Sequence, residues 1–374
     1  MKNGYKPNKL LEVLAPPTES GSLHPEAEPL FHRNTLRLDI LSGLCGKSFL
    51  KASDITREQL IELSKLAAIL ESVEIAEARP LDGKICITAF FEASTRTRTS
   101  FESAVLRLDG KIISIPDGQV TGTKKGESLE DIGEMFNAYG DLVIMRHTET
   151  DAPERLLQNL RVPLINAGNG TGEHPTQALA DWYALLKWRP ELASPHSDKK
   201  IRMGILGTPG SMRAVKSFVL MTRNFAPHIE EVTVVSEMAD PFGEVGGELD
   251  AAGIPFRVTN DLREVLPELD VIYMNSIVAV GDSYKNFDAR FKLDAQSALK
   301  PGAVILHPLA RLEELDSSLD ATPHNLYWSQ AHGAVFIRQA LLVSLFDRFE
   351  KILDLLPDLK VVRANGGRTS QCVE

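Results

Sequence analysis

Ser94, Thr95, Arg96, Thr97 and Arg98 put three hydroxyls and two guanidiniums into five consecutive positions, immediately after the apolar run Lys84 to Phe90. Such a cluster suits a phosphate, because hydroxyls donate from several directions and guanidiniums match planar anionic oxygens two at a time. Phe101, Ala104, Val105 and Leu108 then recur at helical spacing, so the cluster is predicted to lie at the mouth of a helix. There the unpaired N–H groups and the positive end of the dipole already favour an anion. Capping alone needs a single hydroxyl, so the alternation of Thr with Arg exceeds what a cap requires.

Further polar groups close other apolar runs. Arg146 ends DLVIMRH, where a cation has no structural purpose of its own. His174 and Gln177, in GEHPTQ, fall three residues apart on one helical face and offer a donor and an acceptor to a small polar group. Taken singly, such a histidine is more often structural. TGTKKGES, with Thr121 and Lys125, is a Gly-flanked basic loop able to close over an anion, although alone it reads as a solvated loop. HPLAR, His307 to Arg311, follows another apolar run and offers backbone carbonyls. Two nucleotide motifs fail. GKS at Gly46 to Ser48 lacks the upstream glycine of a phosphate loop, and Gly204, Gly207 and Gly210 are spaced G-x-x-G-x-x-G, which is not the dinucleotide fingerprint.

Positioning these groups requires strands that alternate with helices. Lys84 to Phe90, Lys111 to Ile115, Asp141 to Arg146 and Val162 to Asn166 are predicted strands, with helices at Thr97 to Leu108, Ser128 to Tyr139, Ala152 to Leu160 and Pro175 to Leu186. A second series has strands at Ile201 to Leu206, Glu231 to Ser236, Pro255 to Thr259, Asp270 to Met274 and Ala303 to His307. The pattern predicts an α/β fold of two doubly wound parallel-sheet domains joined by interdomain helices. Residues 1–40, rich in Pro, Ser and Glu, read as an extended arm; Thr56 with Gln59 forms a capping box. The first domain is expected over 41–187 and the second over 188–332, beginning at the polar break WRPELASPHSDK. An amphipathic helix from about Gly333 to Leu355 should return to the first domain within 333–374. In open parallel sheets ligands lie beyond the carboxyl ends of the strands, which is where the chemically capable residues fall.

Composition sets outer limits. The 374 residues, 43% hydrophobic, suffice for two domain cores. A net charge of -10 argues against general nucleic-acid or membrane-surface partners, while leaving room for a basic pocket. Three scattered cysteines suggest neither a disulfide framework nor a metal cluster, and with no apolar leader or long apolar segment the expectation is a reduced, cytoplasmic protein.

Taken in order, FFEASTRTRTSFE, the KKGE loop, MRH, HPTQ, HPL and the terminal FIRQALL run resemble aspartate carbamoyltransferase catalytic chains, over about Leu41 to Phe346. The ornithine branch of the superfamily is less similar, since its HCLP and Asp-x-x-x-Ser-Met-Gly signatures are absent. The resemblance implies that Ser94, Thr95, Arg96 and Thr97 bind the phosphate of carbamoyl phosphate, with Thr121 and Lys125 supplied by a neighbouring subunit of a homotrimer with shared active sites. It implies that Thr97, Arg146 and His174 contact the carbamoyl oxygen, while Gln177 and the backbone at Pro308 and Leu309 hold the amide. Thr97, Arg146, His174 and Gln177 are the implied catalytic residues, and no metal or organic cofactor is called for.

The acceptor half departs from the family. Arg213 stands where the family binds the α-carboxylate of an amino acid, and Lys125 would also reach that ligand. Where aspartate enzymes have an Arg and a Gln in a YMTRVQ-like segment, this chain has Ser276 and Val278. Burying a carboxylate without a paired donor costs several kcal/mol, so aspartate recognition would need another cation, with Lys285, Arg290 and Lys292 as candidates. Ala310 replaces the proline that usually follows a cis peptide, and a reshaped loop is expected. Three functions follow: carbamoyl transfer to an amino acid or amine with a neutral side chain, aspartate carbamoyl transfer by altered means, or a non-catalytic homologue.

Overall fold

The computed structural model describes residues 6–14, 21–32, 34–118, 121–122, 126–276 and 289–363. The chain forms two compact units, one of Met1–Leu14, Glu26–Leu179 and Gly333–Glu374, the other of Ala15–Pro25 and Ala180–His332.

In the first unit β1 (Leu36–Arg37) pairs in parallel with Val361–Val362, apart from the main sheet. The main sheet has four parallel strands, β2 (Ile85–Phe90), β3 (Lys111–Ile115), β4 (Leu142–His147) and β5 (Leu164–Asn169), in the spatial order β3-β2-β4-β5. Helices on both faces bury β2, β4 and β5, so those strands read as nearly unbroken apolar runs. Ile87, Ala89, Val143 and Met145 pack against Leu129, Ile132 and Phe136 and against Ala152 and Leu156. Burial of each large aliphatic chain of this kind contributes about 1.5–3 kcal/mol. Edge strand β3 instead leaves Ile113 41% exposed.

The second unit has five parallel strands, β6 (Ile201–Leu206), β7 (Ile229–Val235), β8 (Phe256–Thr259), β9 (Val271–Tyr273) and β10 (Val304–Leu306), ordered β10-β9-β6-β7-β8. Its core joins Leu206, Val235, Ile272 and Ile305 to Leu262, Leu266 and Phe291. Both sheets are doubly wound, because each chain path starts at an inner strand, moves to one edge and then returns to the other side.

Several expectations need correction. The described part of residues 1–40 is not a bare arm: short helices lie at Leu10–Leu14, Glu28–Phe31 and Leu38–Leu41, and Leu30, Phe31, Leu36 and Leu38 are buried. A handful of apolar side chains between prolines is enough to hold that stretch against a core. The boundary between units falls inside the helix Pro175–Trp188 rather than at the polar break after it. The last long helix runs Tyr327–Leu345, starting six residues and ending ten residues earlier than predicted, and a separate turn follows at Glu350–Leu353. It is not amphipathic: Ser329, Gln330, Arg338, Gln339 and Ser344 are buried along with Phe336, Ile337, Leu341 and Leu342. The Thr56–Gln59 capping box forms as read, opening the helix Arg57–Ser72.

Candidate active site

In the first sheet the winding reverses between β2 and β4, and a crevice beyond the carboxyl ends of the strands at such a reversal is where open α/β sheets bind ligands. The polar clusters lie at those ends. Ser94 is the N-cap of the 13-residue helix Thr95–Arg107, yet its side chain makes no capping hydrogen bond. The hydroxyl is thus not consumed by the role that would make it merely structural. Thr95 and Arg96 are exposed at the same end, and crowding by protein atoms lowers the Arg96 pKa although the side chain still reaches solvent. Thr99 and Ser100 turn their hydroxyls back onto the carbonyls of Thr95 and Thr97 at 2.7 and 3.0 Å. Arg98 also leaves the cluster, since Nη1 pairs with Glu102 and Ser114 at 3.4 Å. Ser94 to Thr97 therefore remain at the helix mouth, without the second guanidinium counted from sequence.

Thr97 is buried, and its Oγ1 lies 3.5 Å from Nε2 of His174. The other ring nitrogen, Nδ1, is 3.3 Å from the buried Thr176 hydroxyl. The loop before His174 is held by Asn169, whose Oδ1 accepts the Glu173 N–H at 2.9 Å, and by Glu173, whose carboxylate accepts the Ala52 N–H at 2.8 Å. Gln177 donates its backbone N–H to the His174 carbonyl at 3.0 Å, which puts both residues in one helical turn. Arg146, beside Phe90 in the β2–β4 register, donates to Glu92 at 2.7 Å. Sequence reading missed Glu92 as the carboxylate that orients this guanidinium; a lone acid ahead of a run of cations was the available signal.

The turn bearing Thr121 packs against the segment after β2, since a Cβ at Gly118 would come within 3.1 Å of the Phe91 ring. Thr121 Oγ1 donates to the Gly118 carbonyl at 2.6 Å. Lys125 lies outside the described residues. Ser94, Thr95, Arg96, Thr97, Arg146, His174 and Gln177 are thereby placed at the ends of β2, β4 and β5.

The second sheet reverses between β6 and β9. After β6, Gly207 takes φ +134°, where a side chain is strained and a Cβ would strike the Met212 sulfur at 2.8 Å. Arg213 follows as the first residue of the helix Arg213–Thr222. Met212 Sδ accepts from Thr208 N–H and from the Asn275 amide, both at 3.2 Å, and so ties the turn after β6 to the segment after β9. Ser276 comes next, and its Oγ donates to the Ala310 carbonyl at 2.5 Å. The Leu309–Ala310 peptide is cis despite the missing proline, so that bond is not reshaped as expected. Of the cations proposed to replace the missing arginine, Arg290 pairs with Glu237 at 3.0 Å and Lys292 with Glu313 at 2.8 Å. Lys285 and Val278 lie outside the described residues. Among the described residues no His, Cys, Asp and Glu group could hold a metal ion, and no helix is long and apolar enough to cross a membrane.

Fold and site together define a two-unit α/β protein with hydroxyls and a guanidinium at a helix mouth beside one sheet and Arg213 at the reversal of the other. Family models described as the carbamoyl-P binding domain and the Asp/Orn binding domain of aspartate/ornithine carbamoyltransferase match residues 47–187 and 199–345. The chain belongs to the aspartate/ornithine carbamoyltransferase family and is a carbamoyltransferase. It is 35% identical to the aspartate carbamoyltransferase catalytic subunit of Korarchaeum cryptofilum over 306 residues, covering 80% of this chain and 98% of the relative. To the corresponding subunit of Chromobacterium violaceum it is 36% identical over 307 residues, covering 79% and 96%. Aspartate transcarbamoylase of Trypanosoma cruzi, solved with aspartate and phosphate, superposes with a TM-score of 0.73 at 30% identity, covering 82% of this chain and 97% of that one. Membership as an enzyme sets the non-catalytic reading aside.

Proposed function

We propose that the chain transfers the carbamoyl group of carbamoyl phosphate to the amino group of an amino acid, or related amine, whose side chain is neutral. The donor phosphate is held by Ser94, Thr95, Arg96 and Thr97, with Thr121 and Lys125 contributed by a neighbouring copy in a homotrimer. The amine nitrogen attacks the carbamoyl carbon, and the carbonyl oxygen gains charge against Thr97, Arg146 and His174. The carbon–oxygen bond to phosphate then breaks, and the departing phosphate takes the amine proton, so that N-carbamoyl product and inorganic phosphate balance the reaction. Fixed donors at the developing oxyanion each contribute about 10²- to 10³-fold. Gln177 and the carbonyls of Pro308 and Leu309 hold the carbamoyl amide, and Arg213 binds the acceptor α-carboxylate.

The neutral acceptor is carried by one observation, the bond from Ser276 to Ala310. A hydroxyl has a single proton. With that proton on a backbone carbonyl, Ser276 can only accept from a ligand and offers nothing to a side-chain carboxylate, while Arg290 and Lys292 are already paired with acids. The rival acceptor, aspartate, is favoured by the names of the relatives. Radiolabelled carbamoyl phosphate assayed against a panel of amino acids and amines separates the two. Higher kcat/KM with neutral acceptors is expected, and a clear preference for aspartate overturns the proposal. Sedimentation at assay concentration tests the trimer.

A further inference from the structure

Behind the turn that follows β10 lies a chain of buried hydrogen bonds that neither donor nor acceptor binding requires. Tyr273 donates its hydroxyl to Asp181 Oδ2 at 2.9 Å, and Gln330 donates its amide to Asp181 Oδ1 at 2.6 Å. With its nitrogen thus engaged, the Gln330 amide presents Oε1 to the backbone N–H of His307, at 2.9 Å. The His307 ring continues the chain. Nδ1 accepts the Leu309 N–H at 2.8 Å, which leaves Nε2 as the protonated nitrogen, donating to Glu314 Oε1 at 2.8 Å. Glu314 accepts the Leu312 N–H through the same oxygen at 2.7 Å. Tyr273, Asp181, Gln330, His307 and Glu314 are each no more than 1% exposed.

We infer that His307 and Glu314, backed by Gln330, Asp181 and Tyr273, are positioning residues that aim the Pro308 carbonyl at the carbamoyl amide. A trans peptide sets its C=O opposite its N–H. The Pro308–Leu309 bond is not among the cis peptides. Fixing the Leu309 N–H on a fully buried imidazole therefore points the Pro308 carbonyl the other way, toward the part-exposed side of the turn. A carbonyl accepts only, and a carbamoyl NH2 has two protons to donate. Glu314 completes the device, because its carboxylate selects the tautomer in which Nδ1 can accept. This inference rests on the carbamoyl phosphate reading above and adds to it the residues that orient one of its contacts.

The test compares the KM for carbamoyl phosphate with the inhibition constant of inorganic phosphate, in wild type, Glu314→Gln and Tyr273→Phe. Phosphate lacks the amide, so a general loosening of the fold would weaken both ligands together. The relay predicts that KM for carbamoyl phosphate rises about tenfold in Glu314→Gln and less in Tyr273→Phe, while the phosphate constant moves less than about twofold. Tyr273→Phe, at the far end of the relay, serves if Glu314→Gln does not fold. Parallel changes in both constants, or no change in either, with a normal wild type would overturn the relay alone. A wild-type chain that transfers no carbamoyl group would overturn the functional reading, and the relay with it.

Discussion

Ser276 Oγ donates a 2.5 Å hydrogen bond to the carbonyl of Ala310, and this contact occupies the hydroxyl proton at the position where the resemblance to aspartate carbamoyltransferase chains implies a cation. Ser276→Arg should therefore restore a charge for an acidic side chain. A hydrogen bond to a charged group contributes about 1.5–3 kcal/mol, so kcat/KM for aspartate should rise about 10- to 150-fold relative to neutral acceptors. Unchanged acceptor preference in a folded variant would count against the assignment of this position.

Thr97 and His174 face each other through Oγ1 and Nε2 at the end of the helix mouth. Thr97→Val or His174→Ala should each lower kcat by about 10²- to 10³-fold, as loss of an oxyanion donor does, with little change in thermal midpoint. A loss confined to KM would assign the pair to ground-state binding instead.

Arg338 is 3% exposed, lies 4.7 Å from the centre of the Phe101 ring and donates to the Ser100 hydroxyl. It braces the helix Thr95–Arg107 from behind. Arg338→Ala should destabilise the protein by about 3 kcal/mol, through lost packing and a lost buried donor, as read by urea unfolding.

Glu314 carries a pH signature. Burial alone would raise its pKa, but hydrogen bonds from His307 and from the Leu312 N–H hold it below its ordinary value of 4.5. A carboxylate depressed in the folded state stabilises the fold fully above its unfolded pKa and loses that contribution as pH falls through the folded one. Wild type should accordingly lose stability more steeply than Glu314→Gln below pH 4.5, measured by denaturant midpoints across an acid series.

Cys86, in the middle of the first sheet, is a free thiol whose burial pushes its pKa up to about 12. At pH 8 about one thiol in 10⁴ is then ionised. Iodoacetamide should leave Cys86 unmodified in the folded protein and alkylate it on unfolding, by peptide mass. Rapid labelling under native conditions would show that the sheet opens.

Local chemistry is what the sequence determined. An apolar strand running into Ser94 to Thr97, a strand ending in Arg146 and a helix opening at His174 and Gln177 are signals carried within a few residues, so the alternating fold and the placement of these residues at strand ends were legible in the sequence. That Ser276 carries no charge was legible too, but not where its proton goes. Tertiary structure decided which donors have other partners. Arg98 turns to Glu102 and Ser114, Arg290 to Glu237, and the Ser276 proton to Ala310. Tyr273, Asp181, Gln330 and the loop that carries both His307 and Glu314 are four separate segments that meet only in the core. A hydrogen bond joins atoms within about 3 Å of each other, and sequence spacing fixes such distances only inside one helix, strand or turn. Whether a polar side chain serves a ligand or another part of the chain is therefore settled by folding.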